Sequence, residues 1–134
     1  MQFTRLIQRA SEARLNAYAP YSRFAVGAAA QCRSGAIYVG TNIENISYGL
    51  TVCAERIAIG NAIAAGEREF VAIAVVADTV EPIVPCGACR QFLAEFAPDL
   101  IIVSATLRGD QKIEHLYHLL PDPKRGILKD VHTP

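Results

Sequence analysis

Apolar positions along this chain follow two periods, and the change from one to the other marks its elements. Phe3, Leu6, Ile7, Ala10, Ala13 and Ala17 recur at three- and four-residue intervals, the spacing of one helix face. A helix is therefore predicted over about 2–18, stopping before Pro20. Residues 26–31 and 36–39 read as two short strands joined through Arg33, Ser34 and Gly35, where glycine supplies the turn conformation, and so as a hairpin. The polar stretch 41–47 is a loop leading into a second helix over roughly 52–65, which Gly66 ends. A continuous apolar run at 70–77 has the character of a buried strand. A third helix is predicted over 87–96, ahead of Pro98, followed by a second buried strand at 100–105. Residues 107–113, with Gly109 in a tight turn, add a fifth strand, and 116–120 a short last helix. Strands alternating with helices over this length predict an α/β fold, one sheet with helices on its faces.

At 134 residues the chain is read as one domain over 1–134, long enough to bury most of its own apolar surface. With 51% of residues apolar, 19% charged and no Trp, either the core is generous or part of the surface is covered by other subunits. The alanine-rich helix near residue 54 suits close packing between subunits, so an oligomer is expected. Thirteen basic and thirteen acidic side chains cancel, and the longest basic run is Lys124-Arg125. Nucleic-acid binding, which needs a basic footprint, is thereby disfavoured. Arg5 and Arg9 interrupt the first ten residues, which therefore read as an amphipathic helix and not as a signal peptide or membrane anchor, and a cytoplasmic location is expected. Reduced thiols fit that compartment better than two disulfides.

The candidate chemistry lies in Cys53-Ala54-Glu55 and Pro85-Cys86-Gly87-Ala88-Cys89. Three thiolates would hold a zinc ion and leave one tetrahedral position for water, as catalytic zinc sites do. Glu55 then stands beside the metal without being needed as a ligand, where a proton carrier belongs. A closed structural site with Cys32 as fourth ligand, or a redox pair of Cys86 and Cys89, would leave Glu55 without a role. Cys32 reads better as a buried strand thiol, and His115 and His118 as surface or packing side chains. Cys53 falls at the start of one predicted helix, and Cys86 and Cys89 bracket the start of another, so both partly positive helix ends point at the metal. Arg56 and Arg90 are candidate donors to the sulfurs, withdrawing part of their charge. For Arg90 a solvated helix charge is an equal alternative.

The Cys-Ala-Glu and Pro-Cys-x-x-Cys pair matches the signature of zinc deaminases acting on nucleobases, with a third Cys in place of His. Together with Ala17 to Ser22, Phe24, Val26 to Ala29, Asn42 to Asn45, and Arg56, Arg90 and Gln91, it makes the chain resemble the small homotetrameric cytidine deaminases over nearly its whole length. The resemblance implies a three-layer α/β/α fold around a five-stranded mixed sheet and one zinc ion per chain. It further implies hydrolysis of cytidine, and of deoxycytidine, to uridine or deoxyuridine and ammonia in pyrimidine salvage. Glu55 would carry protons from water to the base. Phe24 would pack beside the substrate, Asn42 and Glu44 would bind ribose hydroxyls, and the backbone near Ala54 would hold the base carbonyl. The carbonyls of Val84 and Pro85 would hold the amine, and Tyr48 matches a position where a neighbouring subunit completes the pocket. The resemblance also supports Arg56 at the sulfurs. The chain departs from the pattern at Ile57, where Thr is common, and after Pro121, where Asp122 to Gly126 follow and Lys124 replaces a Phe that in many relatives stacks on the base in a neighbour's site. A blasticidin-type substrate, or a cytidine substituted at N4 or C5, is the alternative that this departure leaves open.

Overall fold

The first helix ends sooner than its apolar period suggests. In the computed structural model, which describes residues 2–123, α1 spans Thr4–Arg14. Residues 15–17 tighten into turns, with the amides of Leu15, Asn16 and Ala17 donating to the carbonyls of Glu12, Ala13 and Arg14. Tyr18 then leaves the helix because its backbone is engaged elsewhere. Its N–H donates to Asn42 O at 3.1 Å, and Glu44 N–H donates to Tyr18 O at 2.9 Å. The polar loop after the hairpin is thus fastened to the end of α1.

The remaining elements follow the predicted order: β1 (Val26–Cys32), β2 (Ile37–Thr41), α2 (Ala54–Ala64), β3 (Phe70–Ala77), α3 (Gly87–Phe96), β4 (Ile101–Thr106), β5 (Gln111–His115) and α4 (Leu116–Leu119). The fifth strand begins later than its apolar pattern suggests. Residues 107–110 are consumed by a turn in which Thr106 Oγ1 accepts from the amides of Arg108 and Asp110, at 3.3 and 3.2 Å. The sheet order is β2-β1-β3-β4-β5. β3 and β4 are parallel and every other neighbouring pair is antiparallel. α3 provides the crossover that a parallel pair requires.

Both faces of the sheet's centre are covered, so β1, β3 and β4 are apolar nearly throughout, whereas the edge strand β5 is polar and largely exposed. One face buries Ala28, Ala30, Ile73, Val75 and Ile102 against Ala58, Ile59 and Ala62 of α2 and Leu93 and Ala94 of α3. The other buries Ala29, Ala74, Val76, Val103 and Ala105 against Leu6 and Ala10 of α1 and Phe3, its N-cap residue. The three layers are drawn together by small residues. At Gly40 an added Cβ would lie 2.3 Å from Ala58 N and 2.6 Å from Ala54 O, and at Gly27 it would lie 2.0 Å from Ala10 O. Gly40 therefore lets α2 sit directly on β2, which sets where the first turn of that helix ends up.

Candidate active site

Two helix starts meet at one point. Cys53 is the N-cap of α2 and Cys86 the N-cap of α3, both with extended backbones, and neither uses its side chain to cap the helix. Cys89 lies in the first turn of α3 and is fully buried. The three Sγ atoms lie within 4.8 Å of one another, and those of Cys53 and Cys86 are 3.8 Å apart. Tetrahedral zinc–thiolate bonds of about 2.3 Å place their sulfurs about 3.8 Å apart, so this donor set fits the ion. Cys32 is elsewhere, buried in the sheet core, so three thiols form the metal-ligating group among the described residues. A hydrogen bond from the Cys89 thiol, aided by Arg56 and Cys86, lowers the pKa of Cys53 to about 5. The same bond, with burial, pushes Cys89 upward. Helix N–H groups at the mouth of α2 favour a thiolate there as well.

Glu55, in the first turn of α2, is 5% exposed. Its pKa is raised to about 7, first by burial and to a lesser degree by the Cys53 thiolate, with its own backbone N–H and then Arg56 opposing. Arg56 extends to the Cys53 sulfur at 3.9 Å and to Thr51 O at 3.4 Å. Arg90 is used differently from the donor role considered for it. Its Nε donates to Pro85 O at 2.8 Å and its NH1 to Leu119 O at 3.2 Å, tying the loop before α3 to α4.

Above the thiols is a cleft of about 240 Å³ lined by Phe24, Asn42, Thr51, Ala54, Glu55, Ile83 and Val84 together with Cys53 and Cys86. A second, of about 380 Å³, is lined by Tyr21, Ser22, Glu44, Tyr48 and Thr51. Thr51 is common to both. The sequence-predicted residues therefore divide, with Phe24, Asn42, Ala54 and Glu55 around the thiols, and Glu44 and Tyr48 next door. Tyr48 is 75% exposed and meets Tyr21 edge-on at 6.1 Å. Asn42 is buried and already bonded at both ends of its amide, with Oδ1 accepting from Val26 N–H at 3.0 Å and Nδ2 donating to Phe24 O at 2.8 Å. Thr51 and Ile83 complete the walls without any signal in the residue pattern. His115 and His118 gather around Tyr117, outside both clefts, with the His115 ring stacked on Tyr117 at 5.0 Å. Lys124 lies outside the described residues.

The family model for the cytidine and deoxycytidylate deaminase zinc-binding region matches residues 2–105. A protein of Halalkalibacterium halodurans named cytidine deaminase is 53% identical over 117 residues, 87% of this chain and 89% of its own length. The crystal structure of cytidine deaminase from Burkholderia pseudomallei superposes with a TM-score of 0.88 at 50% identity, covering 91% of this chain and 98% of the other. Blasticidin-S deaminase of Bacillus cereus is 35% identical over 86 residues, 58% of this chain and 61% of its own length. On the strength of the matched region and of relatives similar along almost their whole length, this chain belongs to the zinc-binding cytidine and deoxycytidylate deaminase family.

Proposed function

We propose that this protein is a cytidine deaminase that hydrolyses cytidine and deoxycytidine to uridine and deoxyuridine, releasing ammonia, in pyrimidine salvage. The observation that carries the reading is Glu55, buried at the start of α2 beside three convergent thiols and sharing a cleft with Phe24 and Asn42. Cys53, Cys86 and Cys89 would hold the zinc, which when bound would supply an acidified water. Glu55 is the group that holds and moves protons: its carboxylate accepts one from the attacking water, returns it to N3 of the pyrimidine and passes the next to the departing amine, so that the C4–N bond is exchanged for C4–O. A carboxyl raised to about 7 suits both halves of this task, because it accepts and returns a proton near neutral pH. Arg56 draws charge from the Cys53 sulfur. Ala54 N–H, at the first position of α2, has no acceptor within its own helix and is offered to the base carbonyl. Arg90 acts on the site by holding Pro85 in place.

Asn42 keeps one amide hydrogen and Glu44 one acceptor position, enough to receive sugar hydroxyls, while Phe24 flanks the nucleoside. Tyr48 and its exposed neighbours are covered by further copies in a homotetramer, whose subunits complete each pocket. Among the described residues no helix is long and apolar enough to cross a membrane. The blasticidin-type substrate is the second reading. It rests on a likeness that spans 58% of the chain, against 87% for the cytidine deaminase relative.

The test is the ultraviolet absorbance of cytidine together with ammonia release on zinc-loaded protein. Turnover of cytidine is expected, and Glu55→Gln is expected to keep its zinc while losing about 10² to 10⁴ in kcat, the range for a general acid–base group. Substantial turnover by that variant would remove Glu55 from the proton path. Preference for blasticidin S over cytidine would promote the second reading.

A further inference from the structure

The sugar-facing wall of the two clefts is a single hydrogen-bonded chain, and one side chain joins its halves. Glu44 Oε1 accepts from the amides of Tyr21 and Ser22, at 2.9 and 3.1 Å, and Oε2 accepts from the Ser22 hydroxyl. Ser22 Oγ in turn accepts from Phe24 N–H at 3.0 Å. The Phe24 carbonyl takes the amide of Asn42 at 2.8 Å, and Asn42 closes on Val26 N–H at 3.0 Å. Between Ser22 and Phe24 the backbone of Arg23 is left-handed, with φ 59°. A side chain bearing Cβ seldom takes that conformation unless its surroundings impose it, and such residues cluster at functional sites. Here the imposing contacts are those of Ser22 on either side of Arg23, and Arg23 N–H bonded to Ala19 O at 3.0 Å.

The direction of each bond is fixed. Phe24 N–H can only donate, so it occupies an acceptor position of Ser22 Oγ and leaves the hydroxyl hydrogen to Glu44. Glu44 receives three donors on a carboxylate with about four acceptor positions and has one left for the cleft. These bonds favour its ionised form, and the Ser22 hydroxyl is the largest of the causes that hold its pKa below the usual carboxylate range. A carboxylate so held asks its ligand for a donor.

We infer that Ser22 is a positioning residue for substrate selection: it holds the Glu44 carboxylate, an acceptor-only group, in one orientation, so that the clefts favour nucleosides whose sugar presents a hydroxyl donor and disfavour sugars lacking one. Ser22 also couples the Glu44 cleft to the Phe24 and Asn42 cleft. The inference rests on the reading of Glu44 as a sugar contact, and its test separates the two.

Cytidine and 2′,3′-dideoxycytidine are compared as substrates of the zinc-loaded wild type, Ser22→Ala, Ser22→Thr and Glu44→Gln. Ser22→Ala is expected to raise KM for cytidine about tenfold, in line with a charge-assisted hydrogen bond, while kcat for cytidine and kcat/KM for the dideoxynucleoside stay within about twofold. Ser22→Thr, which restores the hydroxyl, should recover the wild-type KM. Ser22 is exposed, and unchanged zinc content and thermal midpoint would show that the variants fold. An equal loss on both substrates would make Ser22 a scaffold residue only, and an unchanged cytidine KM would remove it from recognition; either overturns the inference while Glu44→Gln still erases the preference for cytidine. If Glu44→Gln leaves that preference intact, the sugar contact itself fails, and the role of Ser22 fails with it.

Discussion

Cysteine and asparagine show how differently residues of one site are constrained. The thiols of Cys53, Cys86 and Cys89 converge within 4.8 Å, whereas Cys32 is packed among Ala30, Phe70 and Ile73 in the sheet core. Cys53→Ala, Cys86→Ala and Cys89→Ala should each abolish stoichiometric zinc, measured on protein purified without added metal, while Cys32→Ala should retain it. Loss of metal from the Cys32 variant would mean a closed four-thiol site and would undo the catalytic reading. Asn42 carries two duties at once. Asn42→Ala leaves Val26 N–H and Phe24 O without partners in a buried setting, which costs about 1–3 kcal/mol of stability. Urea unfolding should show that loss, and cytidine KM should rise in the fraction that folds. Unchanged stability would show that water replaces the amide and that the bonds to Phe24 and Val26 contribute little. Glu44→Gln should disturb KM with much less effect on the unfolding midpoint, because its partners lie on an exposed turn.

At the scale of elements, the site depends on where α2 and α3 begin, and most of that was legible in the chain. Cys-Ala-Glu before an alanine-rich run, and Pro-Cys-x-x-Cys before another helix, locate both helix starts to within two residues because the change from polar loop to helical period, and the proline ahead of α3, act locally. Less legible were contacts made across distance. The apolar period of α1 carries on to Ala17, yet the helix stops at Arg14, since the backbone of Tyr18 pairs with the Asn42–Glu44 loop. The pattern at Arg90 could not reveal that its guanidinium reaches Leu119 rather than a sulfur. Gly40 carries the placement of α2 and has no local signal either. Gly40→Ala would push a methyl to 2.3 Å from Ala58 N, a backbone atom that cannot yield without moving the helix. Overpacking of this kind costs about 1–3 kcal/mol or more. The expected result is a lower melting temperature with a disproportionate fall in kcat, because Cys53 and Glu55 shift together with α2. A variant with wild-type kcat would show that the helix start is held by the thiol cluster and not by its seat on β2.

On the scale of the whole molecule, zero net charge and 51% apolar residues have to be reconciled with the surface actually shown. The two sheet faces absorb much of the apolar content, but the loop beside the Glu44 cleft does not bury its own. Ile46 is 80% exposed, Tyr48 75% and Leu50 65%, while Leu15, at the end of α1, is 79% exposed. Fully covering a side chain of this size stabilises by roughly 1.5–3 kcal/mol, so a few of them can hold subunits together without ion pairs. The homotetramer proposed for this chain would put that loop in contact with its copies, next to the nucleoside cleft. Assembly should then be driven by apolar burial, with little dependence on ionic strength, since opposite charges on the chain balance. Sedimentation at micromolar protein is expected to give a tetramer in both low and high salt. Ile46→Asp combined with Leu50→Asp should shift it toward monomer and reduce cytidine turnover in parallel, although neither residue is adjacent to the thiols in the sequence. Dilution of the wild type offers an independent check, because specific activity should fall where the tetramer dissociates. A monomer with full activity at nanomolar concentration would show that one chain completes its own pocket and that Tyr48 needs no neighbour.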